Sequence, residues 1–163
     1  QGPFLQAQPA IIQALAIDAA TNRSSETSSS ALDVAPLKWQ VMHSDPKAAR
    51  VLDGNPDTYW ANDNADNQLS IDLGETLDLR GFCYLPMQER WVSGLITQYA
   101  FYTSLDHAEW ILATAGEFGN IVNSPILQQI PFAPVTALYI RLQAVATADS
   151  KAASFARISV LTR

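Results

Sequence analysis

Cysteine occurs once in the 163 residues, at Cys83, so no intrachain disulfide can form. That removes the usual evidence for an oxidising compartment without excluding export, because many secreted bacterial domains fold without one. Histidine occurs twice, as His43 and His107, and neither has neighbours at metal-ligand spacing. There is no Gly-x-Ser-x-Gly elbow and no phosphate-cradling glycine loop, so nothing in the chain reads as catalytic machinery. Carboxylates are plentiful, but any two can be paired on paper and carry no weight without geometry. Basic residues number 10 against 16 acidic ones, with no basic run and a net charge of −6. Such a chain has no electrostatic footprint for nucleic acid or for anionic lipid heads. The longest apolar stretch near the N-terminus, AIIQALAI (residues 10–17), is too short to cross a bilayer and has no basic region before it. It reads as neither a membrane span nor a signal peptide, and the chain as given is expected to be soluble.

What the chain does have is apolar residues, 48% against 16% charged. A domain of this length buries roughly 70% of its unfolded surface, so a real core is available. The low charge density suits a β-rich extracellular domain. Gln1, Gly2 and Pro3 resemble the residues around a viral 3C-protease cleavage site and are set aside as an expression remnant. NRSSETSSS (residues 22–30) lacks apolar periodicity and reads as a solvated linker or loop. From Leu37 the pattern changes to short strands, at residues 38–43, 68–73, 77–85, 99–104, 110–114, 128–132, 137–145 and 154–161. Leu69, Ile71 and Leu73 alternate with Ser70 and Asp72, and Leu138, Ile140 and Leu142 with Tyr139, Arg141 and Gln143. Each strand therefore has one dry and one wet face, as in an antiparallel sandwich. The single helical candidate is residues 46–52, with Pro46 in the first turn and Asp45 as its cap. The fold class predicted is all-β, an eight-stranded antiparallel β-sandwich of jelly-roll type. Residues 1–37 form the remnant, an N-terminal segment and the Ser-rich linker, and residues 38–163 form the β-sandwich module.

In ARVLDGNPDTYW (residues 49–60), Asp53, Asn55 and Thr58 place three oxygen-bearing side chains around a turn set by Gly54 and Pro56. A hard-cation site, or its substitute, is built from one loop in this way. With the ordered blocks LSIDLGE, GFCYLP, SGLITQYAFYTSLDHAEW, GEFGNIVNSPILQQIPF, LYIRLQAVAT and FARISV, the segment resembles the discoidin type. This is the fold of factor V/VIII type C (F5/8 type C) domains and family 32 carbohydrate-binding modules, which are galactose-binding-domain-like. The run from Gly116 to Phe132 is most similar to the C-terminal module of bacterial family 29 α-L-fucosidases.

The resemblance implies a Ca²⁺ held between the first loop and the last strand. Its ligands would be the carbonyls of Arg50, Asn55 and Ala156, the Asp53 carboxylate, the Thr58 hydroxyl and carbonyl, and an acidic side chain where this chain has Arg157. A guanidinium there opposes the ion by on the order of 4 kcal/mol at a separation of about 4 Å and an effective dielectric of about 20. Ca²⁺ is therefore disfavoured, no other cofactor is implied, and Arg157 is expected to take the ion's place by donating to Asp53 and the loop carbonyls. In the alternative, Arg157 points to solvent and a calcium site survives.

For sugar binding the resemblance points to loops at one end of the sandwich, where an aromatic platform meets the apolar face of a pyranose and a few polar groups meet its hydroxyls. The candidates are Asn62, Asp63 and Asn64 in one loop and Gln88, Glu89, Arg90 and Trp91 in another. Trp91 lies in a polar loop and is the aromatic expected to be exposed, with a buried indole closing the sandwich end as the alternative. Trp39, Trp60 and Trp110 are expected in the core, and Cys83 as a small buried hydrophobe. Galactose-binding relatives commonly carry an arginine and an asparagine where this chain has Met87 and Ser93, and Met cannot donate to an axial hydroxyl.

The function expected is a non-catalytic, accessory carbohydrate-binding module of a secreted, periplasmic or cell-surface bacterial glycoside hydrolase, an α-L-fucosidase on the resemblance. Its partners would be fucosylated or galactosylated glycans. Two alternatives remain open: a structural module packed against the catalytic domain, and a protein-adhesion domain.

Overall fold

A computed structural model describes residues 10–61, 67–91 and 93–163. Its strands are β1 (Ala10–Ala14), β2 (Ile17–Asp18), β3 (Arg23–Ser24), β4 (Ser28–Leu32), β5 (Gln40–Val41) and β6 (Trp60–Ala61), then β7 (Gln68–Leu85) and β8 (Ile96–Ser104). They continue with β9 (Ile111–Glu117), β10 (Gln128–Thr147), β11 (Ser154–Phe155) and β12 (Arg157–Leu161). A 3₁₀ helix, Pro46–Leu52, separates β5 from β6.

The main sheet runs β12-β7-β10-β8-β9, with β5 on the free side of β7. The two longest strands, β7 and β10, are antiparallel to each other, with register shifts after Pro131 and after Ala137. These irregularities bend the pair, so each strand serves two layers. One layer contains β5, the first part of β7, the second part of β10, β8 and β9. The other contains β12, the second part of β7 and the first part of β10. The inward set on β7 changes phase accordingly, from Leu69, Ile71 and Leu73 to Phe82 and Tyr84, all of them buried. The layers meet where Phe82 stacks on Phe101 of β8, ring centroids 4.3 Å apart and nearly parallel. Ile140 and Leu142 of β10 and Ile158 and Val160 of β12 fill the same core. The predicted antiparallel β-sandwich is the observed fold.

The 3₁₀ helix begins as Pro46 and Asp45 predict. Asp45 Oδ1 accepts the Lys47 N–H at 2.9 Å, and its other oxygen accepts Trp60 Nε1–H at 2.9 Å. Trp60 is buried and stacks on Phe155, so the entry turn is fixed to the last strands through this indole.

Two expectations need correction. The Ser-rich segment is exposed over residues 22–28 as expected but is not irregular: β1 pairs with β4 and β2 with β3 as a hairpin whose turn has Asn22 at φ 52°. Asp33 and Arg163 tie it to the C-terminus, through Asp33 with Thr162 and Arg163 Nη2 with the Ala10 carbonyl. Trp110 is outside the core. It is half-buried with the Arg141 guanidinium 3.8 Å above its ring, because Arg141 belongs to the outward-facing set of β10.

Candidate functional site at the loop rim

Asn67, just before β7, and the connections from β7 to β8 and from β10 to β11 converge at one end of the sandwich. Asp149, between β10 and β11, joins these two connections. Its carboxylate accepts the Ser93 hydroxyl at 2.8 Å, the Gly94 N–H at 3.1 Å and the Lys151 N–H at 3.3 Å. The Gly94 carbonyl accepts Ser154 N–H at 2.8 Å, and Asn67 Oδ1 accepts Ala153 N–H at 3.1 Å. Below this layer the buried Tyr84 hydroxyl donates to the Ser154 carbonyl at 2.8 Å, linking rim to core. The rim is thus a hydrogen-bonded platform.

Trp91 stands on this platform and is 79% exposed. The Arg90 guanidinium lies 5.3 Å from the centre of its ring, a cation–π contact that leaves the rest of the indole open. Glu89 is exposed beside it. The Gln88 amide donates to the Pro86 and Pro125 carbonyls at 2.8 and 2.9 Å and holds the loop. Asn62, Asp63 and Asn64 lie outside the described residues. Met87 is buried in place of a donor, and the Ser93 hydroxyl is taken by Asp149. Asp149 and Asn67 were missed by sequence reasoning, because the partners through which they join loops, Ser93, Gly94 and Ala153, are more than 50 residues away.

Partial burial would raise the Asp149 pKa, but the donors from Ser93, Lys151 and Gly94 together hold it below the usual carboxylate value. A folded value below the unfolded one means that the staple contributes fully above the unfolded pKa of about 3.9 and is lost as pH falls through the folded value. Trp91 emission is therefore expected to change on acidification below about pH 4, with a smaller change in Asp149→Asn. Identical acid titrations in the two proteins would show that the staple does not govern the rim.

The second candidate group surrounds the entry turn. Asp53 Oδ1 accepts Asn55 N–H and Oδ2 accepts the Thr58 hydroxyl, each at 2.8 Å. The Asn55 carbonyl accepts the Thr58 N–H, and the Arg50 carbonyl accepts Asp53 N–H. Ala156 is buried, its N–H bonded to the Leu85 carbonyl. Among the described residues no ion pair joins Arg157 to Asp53, contrary to the sequence expectation. The reason is local: Thr58, five residues on, satisfies the carboxylate from within the turn. Arg157 Nε is instead buried with no hydrogen-bond partner. The turn thus gathers one carboxylate, already engaged with the loop, and neutral carbonyls.

The F5/8 type C domain profile matches residues 23–158. The chain belongs to the F5/8 type C family. Among curated proteins, a sialidase of Micromonospora viridifaciens is 32% identical over 113 residues, covering 65% of this chain and 17% of that protein. The domain thus spans about a sixth of that relative's length. Among solved structures, CBM32-3 from a family 31 glycoside hydrolase of Clostridium perfringens is 26% identical, with TM-score 0.66 over 80% of this chain and 94% of that one. The family 32 module of C. perfringens NanJ, solved with galactose, is 21% identical, with TM-score 0.62 over 75% and 90%. The F5/8 type C domain described here shares their sandwich. CBM32-3 is itself a module of a glycoside hydrolase.

Proposed function

We propose that this F5/8 type C domain docks glycans at the loop rim for a tethered, exported glycoside hydrolase. The observation that carries the reading is the open Trp91 indole on a hydrogen-bonded platform. A pyranose stacks its apolar face on such a ring while Arg90 and Glu89 meet its hydroxyls. Docking keeps substrate near the catalytic domain and raises its effective concentration without new chemistry. The resemblance of residues 116–132 to fucosidase modules favours an α-L-fucosidase as the parent and fucosylated or galactosylated oligosaccharides as ligands. Buried Met87 and engaged Ser93 disfavour the usual galactose contacts.

Titration of the domain with fucosylated and galactosylated oligosaccharides is expected to change Trp91 fluorescence. By calorimetry Trp91→Ala should weaken binding about tenfold or more, the loss of one stacking contact. Equal affinity in the variant would refute the platform. A second reading, in which the domain buttresses its catalytic neighbour, is favoured by the exposed apolar side chains Leu105, Ile111 and Leu112 around the free edge strand β9. It predicts no saccharide response at all.

The entry turn of this reading closes without metal. Chelator is expected to leave the melting temperature within about 1 °C, whereas a fall of several degrees would place a cation in the loop.

A further inference from the structure

A cleft of about 600 Å³ runs along β12 between the segment after β4, the end of the 3₁₀ helix and the turn before β10. It shares no lining residue with the loop rim. Its walls are mainly aliphatic, with Val34, Pro36, Leu52, Leu127 and Leu161 prominent, and the volume is that of a site for one small molecule.

The charged groups in the cleft differ in one respect. The Asp33 carboxylate is committed, accepting from the Thr162 hydroxyl at 2.6 Å, Thr162 N–H at 3.0 Å and Val34 N–H at 2.8 Å. Arg163 donates Nη2–H to the Ala10 carbonyl at 2.9 Å. Arg157 is left over. It lines the cleft, its Nε is buried without an acceptor, and it forms no ion pair among the described residues. A buried guanidinium N–H without a partner is rare in a folded domain, and it creates a demand for an anionic acceptor.

We propose that this cleft binds a small aliphatic carboxylate, its oxygens accepting from the Arg157 guanidinium and its hydrocarbon lying on the aliphatic walls. The paired N–H groups of a guanidinium match the two oxygens of a carboxylate, which an alcohol or amide cannot reproduce. A sugar acid is the poorer fit, because its hydroxyls would face Val34, Leu127 and Leu161 without partners and the cleft offers no aromatic face. A cation is excluded by Arg157 and Arg163, which outnumber Asp33.

The test uses octanoate as the probe, titrated into the 163-residue protein by calorimetry. Acetate supplies the head without the tail, and 1-octanol the tail without the head. Saturable octanoate binding is expected, with both controls weaker by about tenfold or more. Arg157→Gln should weaken octanoate about tenfold or more by removing the charged fork. Leu127→Trp, which fills the cleft and keeps Arg157, should weaken it to a similar degree, and melting curves confirm that both variants are folded. Lack of saturation in the wild-type protein, or wild-type affinity in either folded variant, would overturn the proposal. Octanoate carries no sugar hydroxyls, so failure here leaves the glycan reading of the rim standing.

Discussion

Gly94→Ala is expected to lower the unfolding free energy by about 4 kcal/mol, read as a shift in the urea midpoint. Two costs combine at this position. Gly94 has φ +67°, where a side chain is disfavoured by about 1–2 kcal/mol. An added Cβ would also stand 1.9 Å from the Ala152 carbonyl oxygen, a backbone atom that a rotamer change cannot move aside. The approach is close because Gly94 donates to Asp149 and accepts from Ser154, so the β7–β8 and β10–β11 connections are held in contact there. Relief requires the loops to separate, which breaks the rim that carries Trp91. Gly54→Ala is the control. Its φ of +75° is equally unfavourable, but nothing lies within 4 Å of the added carbon. It should cost only the backbone share, about 1–2 kcal/mol. If the two substitutions shift the midpoint equally, the loops are not packed as described and the platform beneath Trp91 is lost as an explanation.

How far the sequence could be read depended on the distance over which each feature is determined. The alternation around Ile71 and Ile140 reported strands directly, because one face of each is dry. Asp45 and Pro46 reported the 3₁₀ turn because capping is decided within a few residues. The long strands were legible only in pieces. Gly74-Glu75-Thr76 reads as a break, as does the Ala133 to Thr136 stretch, yet in the fold each is part of a bend by which one strand passes between layers. The β1–β4 hairpin was invisible for the opposite reason. Its backbone pairing leaves no apolar period in the Ser-rich run. Trp110 misled because period-two reasoning places a residue on a face without saying which face is covered. For the candidate site, Trp91 was legible as an aromatic in a polar loop, whereas Asp149 was not, since its partners Ser93 and Gly94 lie 56 and 55 residues before it. The Arg157–Asp53 pair was inferred by transfer from relatives, and it failed because a nearer hydroxyl, Thr58, reached the carboxylate first.

Phe82→Ala is the complementary test of the layers themselves. Phe82 is fully buried on the second part of β7 and stacks on Phe101 at 4.3 Å, with edge contacts to Tyr99 at 5.3 Å and Phe118 at 6.3 Å. It is therefore the side chain that joins the three-stranded layer to the five-stranded one. Truncating such a ring costs about 3–5 kcal/mol, a large part of the 5–15 kcal/mol that holds an ordinary domain folded. In a domain of this size the melting temperature should fall by roughly 10 °C. Leu112→Ala on the exposed edge strand should stay within about 0.5 kcal/mol, because that side chain is already half in water. Comparable losses in the two variants would contradict the two-layer core. The rim provides a second readout. Asp149, Ser93, Gly94 and Asn67 fix the loops through hydrogen bonds of their own, and none of these involves Phe82. Below its lowered melting temperature the Phe82→Ala protein should accordingly keep the saccharide affinity of the wild type, so that stability and binding separate at the boundary between the aromatic core and the hydrogen-bonded rim.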